Sequence, residues 1–156
     1  MLFRSYGGVY WSINYDGKAS DATKHTYNQA FAIYALSSYY GATKDAEALK
    51  IVYELFDLLE TKCRDSVGYL EAFDRTFQPV VNDKLSENGL IASKTMNTLL
   101  HVFEAYTELY RVDKQEKVAN CLKWMMDQFA DVLFNSDRRI LEVFFDENMK
   151  TLDALN

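Results

Sequence analysis

One pattern used twice restricts this chain more than any other feature. A helix apolar around most of its circumference is followed by an amphipathic helix and then a short strand. The unit recurs at offsets of 71 to 73 residues: Phe31 and Tyr34 align with Phe103 and Tyr106, Leu49-Lys50 with Leu122-Lys123, Phe56 with Phe129, and Glu71 and Phe73 with Glu142 and Phe144. Alternating inner and outer helices with a fixed period mark stacked helical hairpins, either an open solenoid or a closed α/α toroid. Short strands after each pair favour the toroid, because hairpins placed there line one mouth of the barrel. Arrays of fewer than three units seldom stand alone. Residues 1–156 are therefore expected to form a single segment of a larger all-α barrel, with the flanking parts of that barrel absent.

Local signals place the elements. Val9, Trp11, Ile13 and Tyr15 alternate with polar neighbours up to the Asp16-Gly17 turn, which predicts a short hairpin. Lys24 to Tyr40 follows helical spacing with little polar surface, and Gly41 is expected to stop it. A second helix, capped by Thr43 or Asp45, runs to about Arg64 with one apolar stripe, so it lies outside. Gly68 to Asp74 reads as a strand, and Thr76 to Ser93, which holds the one proline, as a long aperiodic loop. Lys94 to Val112 is again an inner helix. Asp113 with Glu116 suggests a capping box for an outer helix reaching about Phe134, and Ile140 to Asp146 reads as a closing strand.

Composition narrows the function. The net charge of −6 leaves no basic patch to meet phosphates, which argues against nucleic acid or an anionic membrane as partner. No apolar run reaches the ~18 residues of a membrane span. Cys63 and Cys121 lack metal-type or CxxC spacing and are expected as free thiols in a reducing, cytoplasmic setting; with two histidines and two cysteines, no metal site is expected. Eleven Tyr and ten Phe exceed what packing alone requires, and such rings also serve as platforms for sugars.

On the Lys94 to Val112 helix, Asn97 and His101 share one face, one turn apart, set among apolar residues. At about 5 to 6 Å between Cβ atoms both can meet one small ligand. The plain reading is a satisfied core Asn and a packed core His, since an unpartnered buried pair costs several kcal/mol. For the helix read alone that is the favoured reading, with a ligand-facing pair as the alternative. Glu104 and Glu108 are expected at the helix surface or behind the pocket, and His25, near a helix start, at the surface.

GGVYWSINYDG, KHTYNQAFAIYALSSYY, GYLEAFDRTFQP and KTMNTLLHVFEAYTELYRV together resemble the N-acylglucosamine 2-epimerase family, most closely its cellobiose 2-epimerase branch, over essentially the whole chain. The resemblance implies an (α/α)6 barrel, of which this chain supplies about four helices from the middle. It implies cofactor-free epimerisation at C2 of a reducing sugar: the ring opens, one histidine removes the C2 proton, and a second returns it on the opposite face. Both of those histidines belong to helices C-terminal to these residues, and the family's active-site arginine has no match. None of the acid/base pair is thus present, and the chain alone is expected to be inactive. By the same resemblance Tyr27, Asn97 and His101 line the sugar pocket. An aldose–ketose isomerase or an N-acylglucosamine 2-epimerase of the same family is the nearest alternative. A non-catalytic helical scaffold comes from another class, and an (α/α)6 glycosidase would need two opposed carboxylates that no inner helix offers. Uncovered inner-helix faces are expected to drive self-association.

Overall fold

The computed structural model describes residues 6–82 and 91–152. Near its start, β1 (Ser12–Ile13) and β2 (Ala19–Asp21) form the expected antiparallel hairpin around the Asp16-Gly17 turn, shorter than the alternation suggests. β3 (Lys24–His25) leads directly into the inner helix α1 (Thr26–Thr43), and the outer helix α2 (Ala46–Leu58) follows it. A π-helical turn, Leu59–Cys63, then leads to β4 (Ala72–Phe73). The second unit repeats this order: β5 (Lys94–Thr95), α3 (Met96–Val112), α4 (Glu116–Gln128), and a π-helical turn over Phe129–Leu133. It closes with β6 (Phe134–Asn135), β7 (Ile140–Leu141) and β8 (Phe144–Phe145).

In each unit the last strand folds back onto the strand that enters its own inner helix. β4 pairs antiparallel with β3, matching Lys24 to Phe73, and β8 pairs with β5, matching Lys94 to Phe145. The repeat extends into the turns beyond. Asp74 donates its amide to Gln78 O at 2.9 Å and Asp146 to Lys150 O at 2.9 Å, while Phe77 and Met149 both adopt positive φ, 66° and 61°. This is the all-α, (α/α)6 toroid type of helical hairpin, with α1 and α3 packed side by side as neighbouring inner helices.

Burial follows the helical periods. α1 buries Gln29, Ala30, Ile33 and Ser37, and α3 buries Leu99, Val102, Ala105, Tyr106 and Leu109. Val52, Leu55, Phe56, Leu59 and Cys63 from the first outer helix meet Val118, Met125 and Leu133 from the second through this layer. Burying each large side chain stabilises by roughly 1.5–3 kcal/mol. One polar knot crosses the core: Glu60 accepts from the Tyr69 hydroxyl at 2.5 Å, the Tyr106 hydroxyl at 2.7 Å and Arg64 at 2.6 Å, and Arg64 stacks on Trp124 at 3.8 Å. The charge is paired and its lone pairs are occupied, which is what keeps a carboxylate tolerable there.

Several expected boundaries move. α1 passes through Gly41 and ends where Lys44 takes φ 60° and bonds Tyr40 O at 2.8 Å. Gly41 instead permits a close helix crossing, since a Cβ there would lie 3.0 Å from Val112 Cγ1. Asp113 caps no helix N-terminus. Its amide closes α3 on Leu109 O at 2.9 Å and its carboxylate accepts the Tyr53 hydroxyl at 2.7 Å, leaving Gln115 at the start of α4 without a side-chain cap. Asp45, of the two candidates, caps α2 by accepting from Glu47 N. The stretch 140–146 splits into two strands because Glu142 turns inward, its amide on Leu133 O at 2.8 Å. Of the loop expected over Thr76 to Ser93, residues 83–90 lie outside the described residues.

Candidate functional site

The two inner helices start side by side, and a buried carboxyl holds them there. Thr95 caps α3 by accepting from Thr98 N at 3.1 Å. Glu71, at the entrance to β4, accepts from Thr95 Oγ1 at 2.9 Å and Thr98 Oγ1 at 2.8 Å, and its backbone oxygen accepts from Thr26 N of α1 at 3.1 Å. Burial pushes its carboxyl up to about 7, against the hydroxyl donors that pull it down.

This anchoring sets the first turns of α1 and α3 so that Tyr27 and His101 meet, with ring centroids 6.3 Å apart. Phe31 packs on His101 at 4.7 Å and edge-on to Tyr27 at 6.1 Å. On the other side of Tyr27 lie Trp11, at 5.9 Å, and His25, at 5.8 Å. His25 corrects its expected surface position: it is 2% exposed and stacks on Trp11 at 4.6 Å, covered by the β1–β2 hairpin region that the local pattern could not place over it. It serves as backing for Tyr27. Burial, and then Glu71, hold the Tyr27 phenol above its ordinary value, so it stays a neutral donor.

Asn97 lies one turn before His101 on the same side of α3, exposed, in the first turn of the helix. The expectation that this polar pair sits in a covered face is therefore corrected: the buried side of α3 is the one through Leu99, Val102 and Tyr106, and Asn97, His101, Glu104 and Glu108 form the adjacent open strip. No desolvation penalty falls on Asn97 in this arrangement. His101 keeps 23% of its side chain exposed, and its Nδ1 lies 2.9 Å from Glu104 Oε2. Further along, Glu108 accepts from Ser38 at 2.9 Å and from Arg111 at 2.7 Å; the Arg111 bond is the main cause holding its carboxyl low.

Between α1 and α3 the His101 to Glu108 part of the strip borders a groove of about 390 Å³, walled by Phe31 and Tyr34 on one side and His101, Phe103, Glu104 and Glu108 on the other, with Tyr27 and Asn97 outside its lining. Apolar rings opposite a few hydrogen-bonding groups can take the apolar face of a polyol while addressing its hydroxyls. Phe31 and Phe103 were read as repeat matches on the inner helices, and Glu104 as a surface or behind-the-pocket group; its i, i+3 spacing to His101 is the signal that would have paired the two. Among the described residues, no three His, Cys, Asp or Glu side chains gather as a metal site, and no helix is long and apolar enough to cross a membrane.

Helical hairpins of the (α/α)6 toroid type, with an open aromatic and histidine wall on the inner helices, define the class. The chain belongs to the N-acylglucosamine 2-epimerase (GlcNAc 2-epimerase) family, whose profile matches residues 3–156. A cellobiose 2-epimerase of Ruminococcus albus is 56% identical over 141 residues, covering 90% of this chain and 36% of the relative. The crystal structure of a sugar epimerase from a ruminal bacterium superposes with a TM-score of 0.92 at 52% identity, over 97% of this chain and 39% of that one. The cellobiose 2-epimerase of Bacillus thermoamylovorans gives 0.90 at 40% identity, again over 97% and 39%. The chain thus spans well under half the length of the relatives it matches.

Proposed function

We propose that these residues form one wall of the sugar pocket of a carbohydrate 2-epimerase of the cellobiose 2-epimerase type, and that they constitute one segment of its (α/α)6 barrel. The observation that carries this reading is the Tyr27–His101 ring pair on the open side of the two inner helices, in a chain 56% identical to a cellobiose 2-epimerase. The substrate is a reducing disaccharide or hexose. In the open-chain form a base removes the C2 proton, the C–H electron pair becomes the C1–C2 double bond as the C1=O π pair moves onto O1, and an acid returns a proton to C2 from the other face while O1 re-forms the carbonyl. Negative charge gathers on O1, beside the O2 hydroxyl, so donors aimed at these oxygens lower the barrier. Asn97 Nδ2 and the Tyr27 hydroxyl are such donors, the His101 ring stands beside them as a further sugar contact, and the acid/base pair itself lies outside these residues. No cofactor takes part in this scheme.

The free state of both Cys63 and Cys121 agrees with a cytoplasmic, reducing location. Half-exposed Phe31, Tyr34 and Tyr39 on α1 supply the surface through which the segment meets either the rest of a barrel or a second copy.

In a complete enzyme carrying this segment, His101→Ala and Asn97→Ala should each lower kcat on cellobiose by about 100-fold, the scale of losing one hydrogen-bonding group at the reacting sugar, with cooperative unfolding retained. Full kcat and KM in either variant would remove that residue from the pocket.

A further inference from the structure

The Glu104 carboxylate approaches one particular nitrogen of His101, Nδ1, at 2.9 Å. Phe31 packs on the ring at 4.7 Å and Tyr27 lies at 6.3 Å, tilted to it, which places the ring between them beside Glu104. An ionised carboxylate only accepts, so this contact requires hydrogen on Nδ1; in the neutral imidazole Nε2 then carries the lone pair. Half-exposed ion pairs one turn apart on a helix add little stability. With Glu104 49% exposed, the consequence of the contact is therefore where the proton sits, not how firmly α3 folds. The next carboxylate along the strip does not compete, since Glu108 is held by Arg111 and Ser38.

We propose that Glu104 is a positioning residue that locks His101 in its Nδ1–H tautomer, so that Nε2 faces the groove as an acceptor for a sugar hydroxyl hydrogen. In that role His101 accepts while Asn97 and Tyr27 donate, which lets one wall tell a hydroxyl from an anionic oxygen. The usefulness of the tautomer rests on the reading of His101 as a sugar-pocket residue; its existence does not.

The chain has two histidines, and His25 is buried against Trp11, so nitrogen NMR can read His101 separately. Long-range ¹⁵N–¹H correlation spectra of the labelled chain, recorded near pH 9, where imidazoles are neutral, should show Nδ1 protonated and Nε2 bare for His101, with His101→Gln assigning the signals. Glu104→Ala should exchange the two nitrogen shifts, giving the Nε2–H form that free histidine prefers. Glu104→Gln, whose amide oxygen still accepts, should keep the wild-type pattern. Nε2–H in the wild-type chain, or Nδ1–H persisting in Glu104→Ala, would overturn the proposal. A correct tautomer combined with unchanged cellobiose binding in His101→Ala would instead strike the pocket reading and leave the Glu104 role standing.

Discussion

Glu71 joins the starts of α1 and α3, and its protonation ties their stability to pH. Its carboxyl sits at about 7 when folded, against an ordinary 4.5, because burial outweighs the donors Thr98 and Thr95. Between those values the folded state holds the extra proton, so the contribution is complete below pH 4.5 and is lost as pH climbs through about 7. At 1.36 kcal/mol per unit this is roughly 3 kcal/mol. Glu71→Gln should flatten that dependence: guanidinium midpoints at pH 5 and pH 8 should differ clearly in the wild type and little in the variant. Equal pH slopes would show that Glu71 is not the titrating group. Such a residue was visible in the sequence only as a repeat match to Glu142; its burial depends on Thr95 and Thr98, from the other unit. The two histidines teach the same lesson. That Asn97 and His101 share one side of α3 was legible from helical spacing, though not that this side is open, whereas His25 was misplaced because a distant hairpin residue, Trp11, covers it.

Helix existence was legible and helix ends were not. Periodicity over Tyr27 to Tyr40 and Leu99 to Tyr110 is a local signal, and the inner and outer characters of α1 to α4 follow from it. Termination was decided by contacts between elements. Gly41 looked like a stop and is a crossing point, Asp113 looked like a cap and is committed to Tyr53, and both outer helices widen into π-helical turns that bring Leu59, Cys63 and Leu133 into the core. Gly41→Leu tests the crossing. A side chain built 3.0 Å from Val112 Cγ1 must push α1 from α3, and overpacking of this kind costs about 1–3 kcal/mol. The opposing gain in helix propensity over glycine is about 1 kcal/mol. The midpoint of chemical unfolding should fall, and Val112→Ala in the same chain should recover part of the loss. A stabilised single variant would mean that the glycine acts as a local breaker after all.

At the scale of the whole molecule, two hairpins give one wall, and a proton transfer across both faces of an enediolate needs two. Of the two histidines, His25 is buried behind Tyr27 and His101 alone opens on the groove. Among the described residues Glu71 is enclosed by Thr95 and Thr98, Glu104 and Glu108 stand on the same helix as His101, and Tyr27 is kept a neutral phenol, so no second base faces His101 across the groove from α1. The chain by itself should therefore contact sugar without inverting it, even where copies associate through Phe31, Tyr34 and Tyr39, unless association brings a second histidine opposite the first. Incubation with cellobiose in deuterated water, across a range of chain concentrations, separates these cases by NMR of the C2 position. The expected result is no C2 epimer carrying deuterium above a buffer blank at any concentration. Deuterated epimer at all concentrations would place both acid and base within these residues; deuterated epimer only at high concentration would place the missing group on a second copy.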